Sequence, residues 1–293
     1  MELTRRSFIA GAAAAGCMAA VGGDAEIPPH EGIRLRFLGT GAAGGPRHSS
    51  VLLEGKTLID FRESARDMLP SSAAPDTIFY THSHGDHYNP AQALKLGTIR
   101  HVFTQETWAE GARKEFAEAA AKLGVPTPEV TPLPFRKPVC VNGLTITGLP
   151  ANHSTMRITN GEYERTSIYL IEKGPARLLY ATDTGGIPGD AAQYIGIDAH
   201  IRNGRPITAL VMEATTGFGC EDDFRLFVHS TVDTVSRTVR VLMKTKRLLL
   251  PSGQPVYITH RSPIGYSGNI DADDARLPAP LKCARDGLEV TLG

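Results

Sequence analysis

Thr81-His-Ser-His-Gly-Asp-His87 is the stretch that decides how this 293-residue chain is read. Three histidines and an aspartate fall within six positions, directly after the apolar run Ala74–Thr81, which reads as a strand. A strand that ends in such a cluster delivers several donors into one small volume. Imidazole nitrogen and carboxylate oxygen are ligands of zinc, and the same donors admit manganese or iron. A solvated polar turn gives no reason to gather four potential ligands in seven residues.

Working outward, Ile33-Arg-Leu-Arg-Phe-Leu38 alternates and runs into the glycine-rich loop Gly39–Gly45. Ser50–Leu53 and Lys56–Asp60 read as a hairpin with Glu54-Gly55 at its turn. Glu106–Leu123 has apolar residues at helical spacing and stops at Gly124, a C-cap. Further on, Leu144–Leu149, Ser167–Glu172, Arg177–Ala181, Ala209–Glu213, Pro255–Thr259 and Leu288–Leu292 are strand candidates, and Thr231–Lys244 is helical in pattern. Ser262–Pro280, rich in Gly, Pro and Asp, reads as a long loop following a candidate ligand, a setting in which long loops are often functional. Two similar halves of strands with interleaved helices predict an α/β (α+β) fold, a four-layer αββα sandwich of two facing sheets.

Composition narrows the partners. Lys+Arg and Asp+Glu number 31 each, so no overall basic field draws the chain to nucleic acid, and a small-molecule substrate is expected. Cys17, Cys140, Cys220 and Cys283 form no CxxC pair and are too scattered for a disulfide framework. Oligomeric state stays open, a homodimer included.

Residues 1–30 read as a targeting segment and short linker, leaving 31–293 as one domain. Thr4-Arg-Arg-Ser-Phe-Ile9 before an Ala-rich apolar stretch resembles the bacterial twin-arginine export signal. Ala14-Ala-Gly-Cys17 resembles a lipobox, in which Cys17 would anchor the protein to a membrane. Cleavage near Ala20 would instead release a soluble form. The expected location is periplasmic or membrane-anchored and extracytoplasmic.

The run at 82–87 is similar to the HxHxDH motif of metallo-β-lactamase-fold hydrolases, and the match extends over most of residues 33–293. The resemblance implies that His82 and His84 hold a first metal with a later histidine, for which Asn152-His153-Ser154 stands in order. It gives Asp86 and His87 to a second metal, with Asp183 of Tyr180-Ala-Thr-Asp183 bridging both and His260 of Val256-Tyr-Ile-Thr-His260 completing the set. Two divalent ions, zinc foremost and manganese or iron as alternatives, would then supply a bridging hydroxide as nucleophile. Phosphodiesters, lactones, thioesters and β-lactams would all qualify as substrates.

Three stretches resemble the cyclic-phosphate phosphodiesterase and tRNA 3′-processing nuclease branch of that family. These are Phe37–Pro46 with His48-Ser-Ser and Leu58-Ile-Asp60, then Leu210–Thr215 with His229-Ser-Thr-Val-Asp233, and Ala284–Glu289. The resemblance implies Asp86 and His229 as catalytic residues, with His229 protonating the leaving group or orienting a phosphate oxygen. Asp60 would support a ligand histidine rather than touch an ion. His48, Arg157 and Arg165 are candidate phosphate contacts, and ordinary surface charge explains them equally well. His30, His101 and His200 receive no role. The expected function is hydrolysis of a small phosphodiester, cyclic forms included. The alternatives are a lactonase-like hydrolase of carboxyl derivatives, or a metal-bearing, non-hydrolytic cofactor-biosynthesis protein of the same fold.

Replacing Arg5-Arg6 with Lys-Lys should leave the precursor in the cytoplasm. Fractionation that finds this variant exported normally contradicts the signal.

Overall fold

The computed structural model describes residues 32–159, 161–198, 200 and 204–293. Residues 1–30, read from the sequence as a targeting segment and including Cys17 and His30, lie outside the described residues. Alternation at the start of the domain is expressed as strand β1 (Ile33–Gly39), which buries Ile33, Leu35 and Phe37 and exposes Arg34. Strands β2 (Ser50–Leu53) and β3 (Thr57–Ile59) form the expected hairpin. Its turn residues Glu54 and Gly55 have φ of +50° and +72°, the left-handed pair that matches strand twist.

The first sheet adds β4 (Thr77–Phe79), β5 (His101–Gln105) and β6 (Glu129–Leu133) on one side and β14 (Glu289–Leu292) on the other, in the order β14-β1-β2-β3-β4-β5-β6. The second comprises β7 (Pro138–Val141), β8 (Leu144–Thr159), β9 (Glu162–Lys173), β10 (Ala176–Ala181), β11 (Ala209–Glu213), β12 (Val256–Thr259) and β13 (Leu281–Cys283), in the order β13-β12-β11-β10-β9-β8-β7. Each sheet is antiparallel on one side and parallel on the other: β3 to β6 in the first, β10 to β13 in the second.

Phe37, Val51, Phe79, Ile146, Tyr169 and Val211 fill the layer between the sheets. Helices α1 (Pro90–Leu94) and α2 (Ala109–Leu123) cover the first sheet, where Trp108, Ala112 and Phe116 pack against Ile78, Tyr80 and Val102. Helices α3 (Gly189–Ile195) and α4 (Val232–Lys244) cover the second, with Ile195, Val235 and Val239 against Leu179, Leu210 and Met212. This is the expected αββα sandwich. Gly124 ends α2 in the left-handed conformation, and the Thr231 side chain caps α4 by accepting from the Thr234 N–H.

The structure departs from the sequence reading in three places. The segment 262–280 is not loop throughout: α5 (Ile270–Arg276) forms within it, capped by the Asn269 side chain on the Asp271 and Ala272 N–H groups. Aspartates that look loop-like in a sequence also favour a helix's first turn. Strand β8 runs ten residues past Leu149 and pairs, across register shifts, with a β9 that starts five residues before Ser167, as a long hairpin. The extension joins no core, since its apolar residues Met156, Ile158 and Tyr163 are exposed. Finally, β5, β6, β7 and β13, with α1 and α3, carry too short a periodicity to register.

Phe79 stacks on Phe103 with ring centroids 4.4 Å apart and meets Tyr169 of the opposite sheet edge-on at 5.8 Å. Phe79→Ala should therefore cost about 3–5 kcal/mol, as for a large core truncation. Urea unfolding that finds less than about 1 kcal/mol would contradict this placement of the inter-sheet core.

Candidate metal centre

Parallel strands end side by side where the two sheets open toward each other, and the site residues stand at those carboxyl ends. His82, His84, Asp86 and His87 follow β4, Asp60 follows β3, Asp183 follows β10 and His260 follows β12, while His153 stands within β8. Side chains at adjacent carboxyl ends converge in a crevice, the usual location of ligand sites in such sheets. All seven residues predicted as ligands are brought together.

Two nests of donors result. His82, His84 and His153 form one, with His153 Nε2 3.2 Å from His84 Nδ1. Asp86, His87 and His260 form the other, with His87 Nε2 and His260 Nε2 3.1 Å apart and Asp86 Oδ2 3.6 Å from each. Asp183 lies between them: its Oδ2 is 3.1 Å from His87 Nε2 and 3.3 Å from His260 Nε2, while Oδ1 faces His153 Nε2 at 4.0 Å. Ligands about 2.0–2.1 Å from a tetrahedral ion are about 3.3 Å from one another. The nitrogen–nitrogen separations in both nests match that spacing.

Each remaining ring nitrogen of the buried histidines is held by oxygen. His87 Nδ1 donates to Asp60 Oδ2 at 2.8 Å, and His153 Nδ1 donates to the Val228 carbonyl at 3.1 Å. Thr81 Oγ1 donates to Asp60 Oδ2 at 2.8 Å, which leaves it to accept from His82 Nδ1 at 2.9 Å. Thr215 Oγ1 donates to Glu213 Oε2 at 2.5 Å and accepts from His260 Nδ1 at 2.8 Å. These bonds select the tautomer whose Nε2 lone pair faces the cluster, the usual way outer contacts orient ligand histidines.

Electrostatics distinguish the two nests. Burial holds His82, His84 and His153 below the ordinary imidazole pKa, hence neutral, as metal ligands must be. For His87 burial acts downward too, but Asp183 and Asp60 outweigh it and raise its pKa. Asp183 is depressed in spite of burial because His260 and His87 surround it. Asp60, Asp183 and Glu213 are buried, and their ion pairs are with histidines rather than Lys or Arg. Buried carboxylates need compensating positive charge. His82 Nε2 is buried and makes no hydrogen bond, although three other imidazoles surround its ring. An orphaned lone pair beside buried carboxylates that no Lys or Arg neutralises fits divalent cations.

His229 joins the cluster from the start of the segment before α4. Its Nδ1 donates to Glu213 Oε1 at 3.0 Å, and its ring lies 4.8 Å from that of His153. Burial opposes its protonation, but the Glu213 carboxylate prevails and raises its pKa. Gly185 explains the close approach of this segment to the Asp183 loop, since a Cβ there would stand 2.6 Å from the Leu226 carbonyl oxygen. Of the candidate phosphate contacts, Arg157 turns away to pair with Glu115 of α2, Arg165 is exposed, and His48 bonds Ser64. His101 and His200 are exposed, and His101 pairs with Glu129.

Three residues that complete the site receive no role in the sequence reading, although Glu213 and Thr215 lie in the stretch Leu210–Thr215 that carries part of the resemblance. Glu213 ends an apolar strand, Thr215 follows it, and Glu164 sits in the β9 extension, where its carboxylate accepts from the Ser83 N–H at 2.6 Å and from the Ser83 hydroxyl. Only a buried carboxylate at the end of a run such as Leu210-Val-Met-Glu213 hints at them.

Comparison with known proteins agrees with this geometry. The family model described as the beta-lactamase superfamily domain matches residues 56–250, a span that holds every proposed site residue except His260. No curated protein matches the sequence. Among solved structures, unliganded yeast PDE1 is similar at 10% identity, covering 90% of this chain and 100% of its own, with a TM-score of 0.64. Zn2+-bound PqqB from Methylobacterium extorquens is 16% identical over 88% of this chain and 100% of its own, with a TM-score of 0.62. The short form of human tRNase Z is 18% identical over 89% and 99%, with a TM-score of 0.61. Likeness at these identities is likeness of fold, and with the family match it places the chain in the beta-lactamase superfamily, in the metallo-β-lactamase fold.

Proposed function

We propose that this protein is a two-metal hydrolase of a small phosphodiester. His82, His84 and His153 would hold one ion, Asp86, His87 and His260 the other, and Asp183 would bridge them. Such a pair supplies a nucleophile at neutral pH and a Lewis acid for the substrate oxygen. The protein's own residues do the rest. Asp60 and Glu213 fix the tautomers of His87 and His229 directly, and those of His82 and His260 through Thr81 and Thr215.

The observation that carries the phosphodiester reading is the Glu213–His229 pair, 3.0 Å apart and beside Asp183, whose Oδ1 is 3.9 Å from His229 Nδ1. With Nδ1 engaged by the carboxylate, Nε2 is the atom that would deliver a proton to a departing alkoxide. Fold likeness to PDE1 and tRNase Z accords with this reading, and likeness to Zn2+-bound PqqB accords with a metal-holding centre. A panel of a bis-aryl phosphate, cyclic nucleotides, a lactone and a cephalosporin separates the candidates. Turnover of the phosphodiesters is expected. Turnover of the lactone alone favours the lactonase, and none with two ions bound favours the cofactor-biosynthesis reading. We further propose that the protein works outside the cytoplasm, on the strength of the Arg5-Arg6 motif.

Asp60→Ala should weaken metal binding about 10–100-fold, because His87 loses its orienting acceptor. Competition with a chromogenic chelator measures this, and unchanged affinity would contradict the support role. His229→Ala should keep both ions and lower turnover by about 10²–10⁴. The loss should be largest for alkoxide leaving groups and smallest for nitrophenolate. Equal losses on both would remove the proton-donor role, and loss of an ion would make His229 a ligand.

A further inference from the structure

Four of the five histidines in the two nests have their outer ring nitrogen held by an oxygen. His82 and His260 use threonines, His87 uses Asp60, and His153 uses the Val228 carbonyl. His84 is the exception. Its Nδ1 faces His153 Nε2 at 3.2 Å, and among the described residues no oxygen holds its Nε2. Its direction rests on edge contacts with the His82 and His153 rings and on the backbone that carries it. After His84 that backbone is fixed by a turn, in which the His84 carbonyl accepts from the His87 and Tyr88 N–H groups. Before His84 it is fixed by Ser83, which the Glu164 carboxylate grips twice. The Ser83 N–H donates to Oε1 at 2.6 Å and the Ser83 hydroxyl to Oε2 at 2.5 Å.

Glu164 is buried, and among the described residues its hydrogen bonds are both to Ser83. Arg157 of the same hairpin pairs with Glu115 instead, and the buried hydroxyls of Thr155 and Thr166 have no partner. A carboxylate out of water is costly unless its bonds satisfy it, and bonds to an ionised acceptor are the strong kind. The acid also stands where the hairpin ladder is interrupted. Between the pairs Ser154–Arg165 and Ile158–Tyr163, three residues of β8 lie opposite Glu164 alone. Between Pro150–Ser167 and Ser154–Arg165, Ala151, Asn152 and His153 lie opposite Thr166 alone. Such bulges re-aim side chains and loosen the ladder. Contacts outside the ladder therefore set how His153 meets His82 and His84. The Ser167 N–H ties β9 to the Thr81 carbonyl at 2.9 Å, and Glu164 ties it to the residue between the two histidines.

We propose that Glu164 is a positioning residue for the ion expected at His82, His84 and His153. By gripping Ser83 it sets the direction of His84 Nδ1 and holds the hairpin that bears His153 against the loop that bears the other two ligands. The role matches the way outer contacts orient ligand histidines, except that it acts through the backbone beside the ring and not on the ring itself. The inference rests on the two-metal reading and is independent of the substrate.

Zinc titration in competition with a chromogenic chelator resolves the binding steps, and the step that His153→Ala abolishes marks the ion at that nest. Glu164→Ala should weaken that step about 10–100-fold and leave the other unchanged. Glu164→Gln keeps an oxygen for the Ser83 N–H and an amide for its hydroxyl, so it should stay within about threefold of the wild type. Ser83→Ala removes only the hydroxyl bond and should weaken the same step about 2–10-fold, which carries the test if Glu164→Ala does not fold. A merely structural acid would instead lower the melting temperature of the metal-free variant and weaken both steps alike, which overturns the proposal. An unchanged step in Glu164→Ala and Ser83→Ala, or a Glu164→Gln variant as weak as Glu164→Ala, overturns it too. A wild type without two binding steps sinks the two-metal reading, and the proposal with it.

Discussion

A fully buried carboxylate, Asp60, holds the centre together. Its Oδ1 accepts from the Thr81 N–H, and its Oδ2 accepts from the Thr81 hydroxyl and from His87 Nδ1. Three bonds on one buried acid fix the end of β4 and, through it, the loop that bears four of the seven converging donors. The second sheet repeats the device. Glu213 accepts from the Thr184 and Thr215 N–H groups, the Thr215 hydroxyl and His229 Nδ1. Each half thus supplies one carboxylate, one threonine relayed to a histidine, and one histidine bonded directly. Removing either acid would leave buried donors unsatisfied, which is costlier than losing a bond at the surface.

The backbone carries part of this cost. Asp60, Asp183 and His260 all have positive φ, at 54°, 48° and 53°. Each lies just past a strand's carboxyl end, where turning the chain sharply aims a side chain back into the crevice. Asp and His tolerate this region better than branched residues, yet it remains unfavourable relative to extended backbone. Three such residues in one cluster mean that the surrounding sheets hold the geometry in place.

Much of this was legible in the sequence because metal donors at strand ends are dense and directional signals. His82, His84, Asp86 and His87 stand within six residues, and β1, β2, β11 and α4 follow their apolar patterns almost to the residue. What escaped notice depends on tertiary partners. Glu213 and Thr215 look like the end of an ordinary strand until His229 and His260 arrive beside them. Glu164 acquires meaning only when the β9 extension meets Ser83. The long hairpin was hidden because the apolar residues of its extension, Met156, Ile158 and Tyr163, face solvent instead of a core. Arg157 shows the converse, a cation whose proximity in sequence to His153 says nothing about where its charge is used.

The central claim is that two ions sit on either side of Asp183. Crystallographic anomalous scattering from metal-loaded protein, with data on both sides of the zinc edge, tests it most directly. The account predicts two peaks about 3.5–4 Å apart, one at His82, His84 and His153 and the other at Asp86, His87 and His260. A single peak at full loading, or a second ion held away from Asp183, would contradict it.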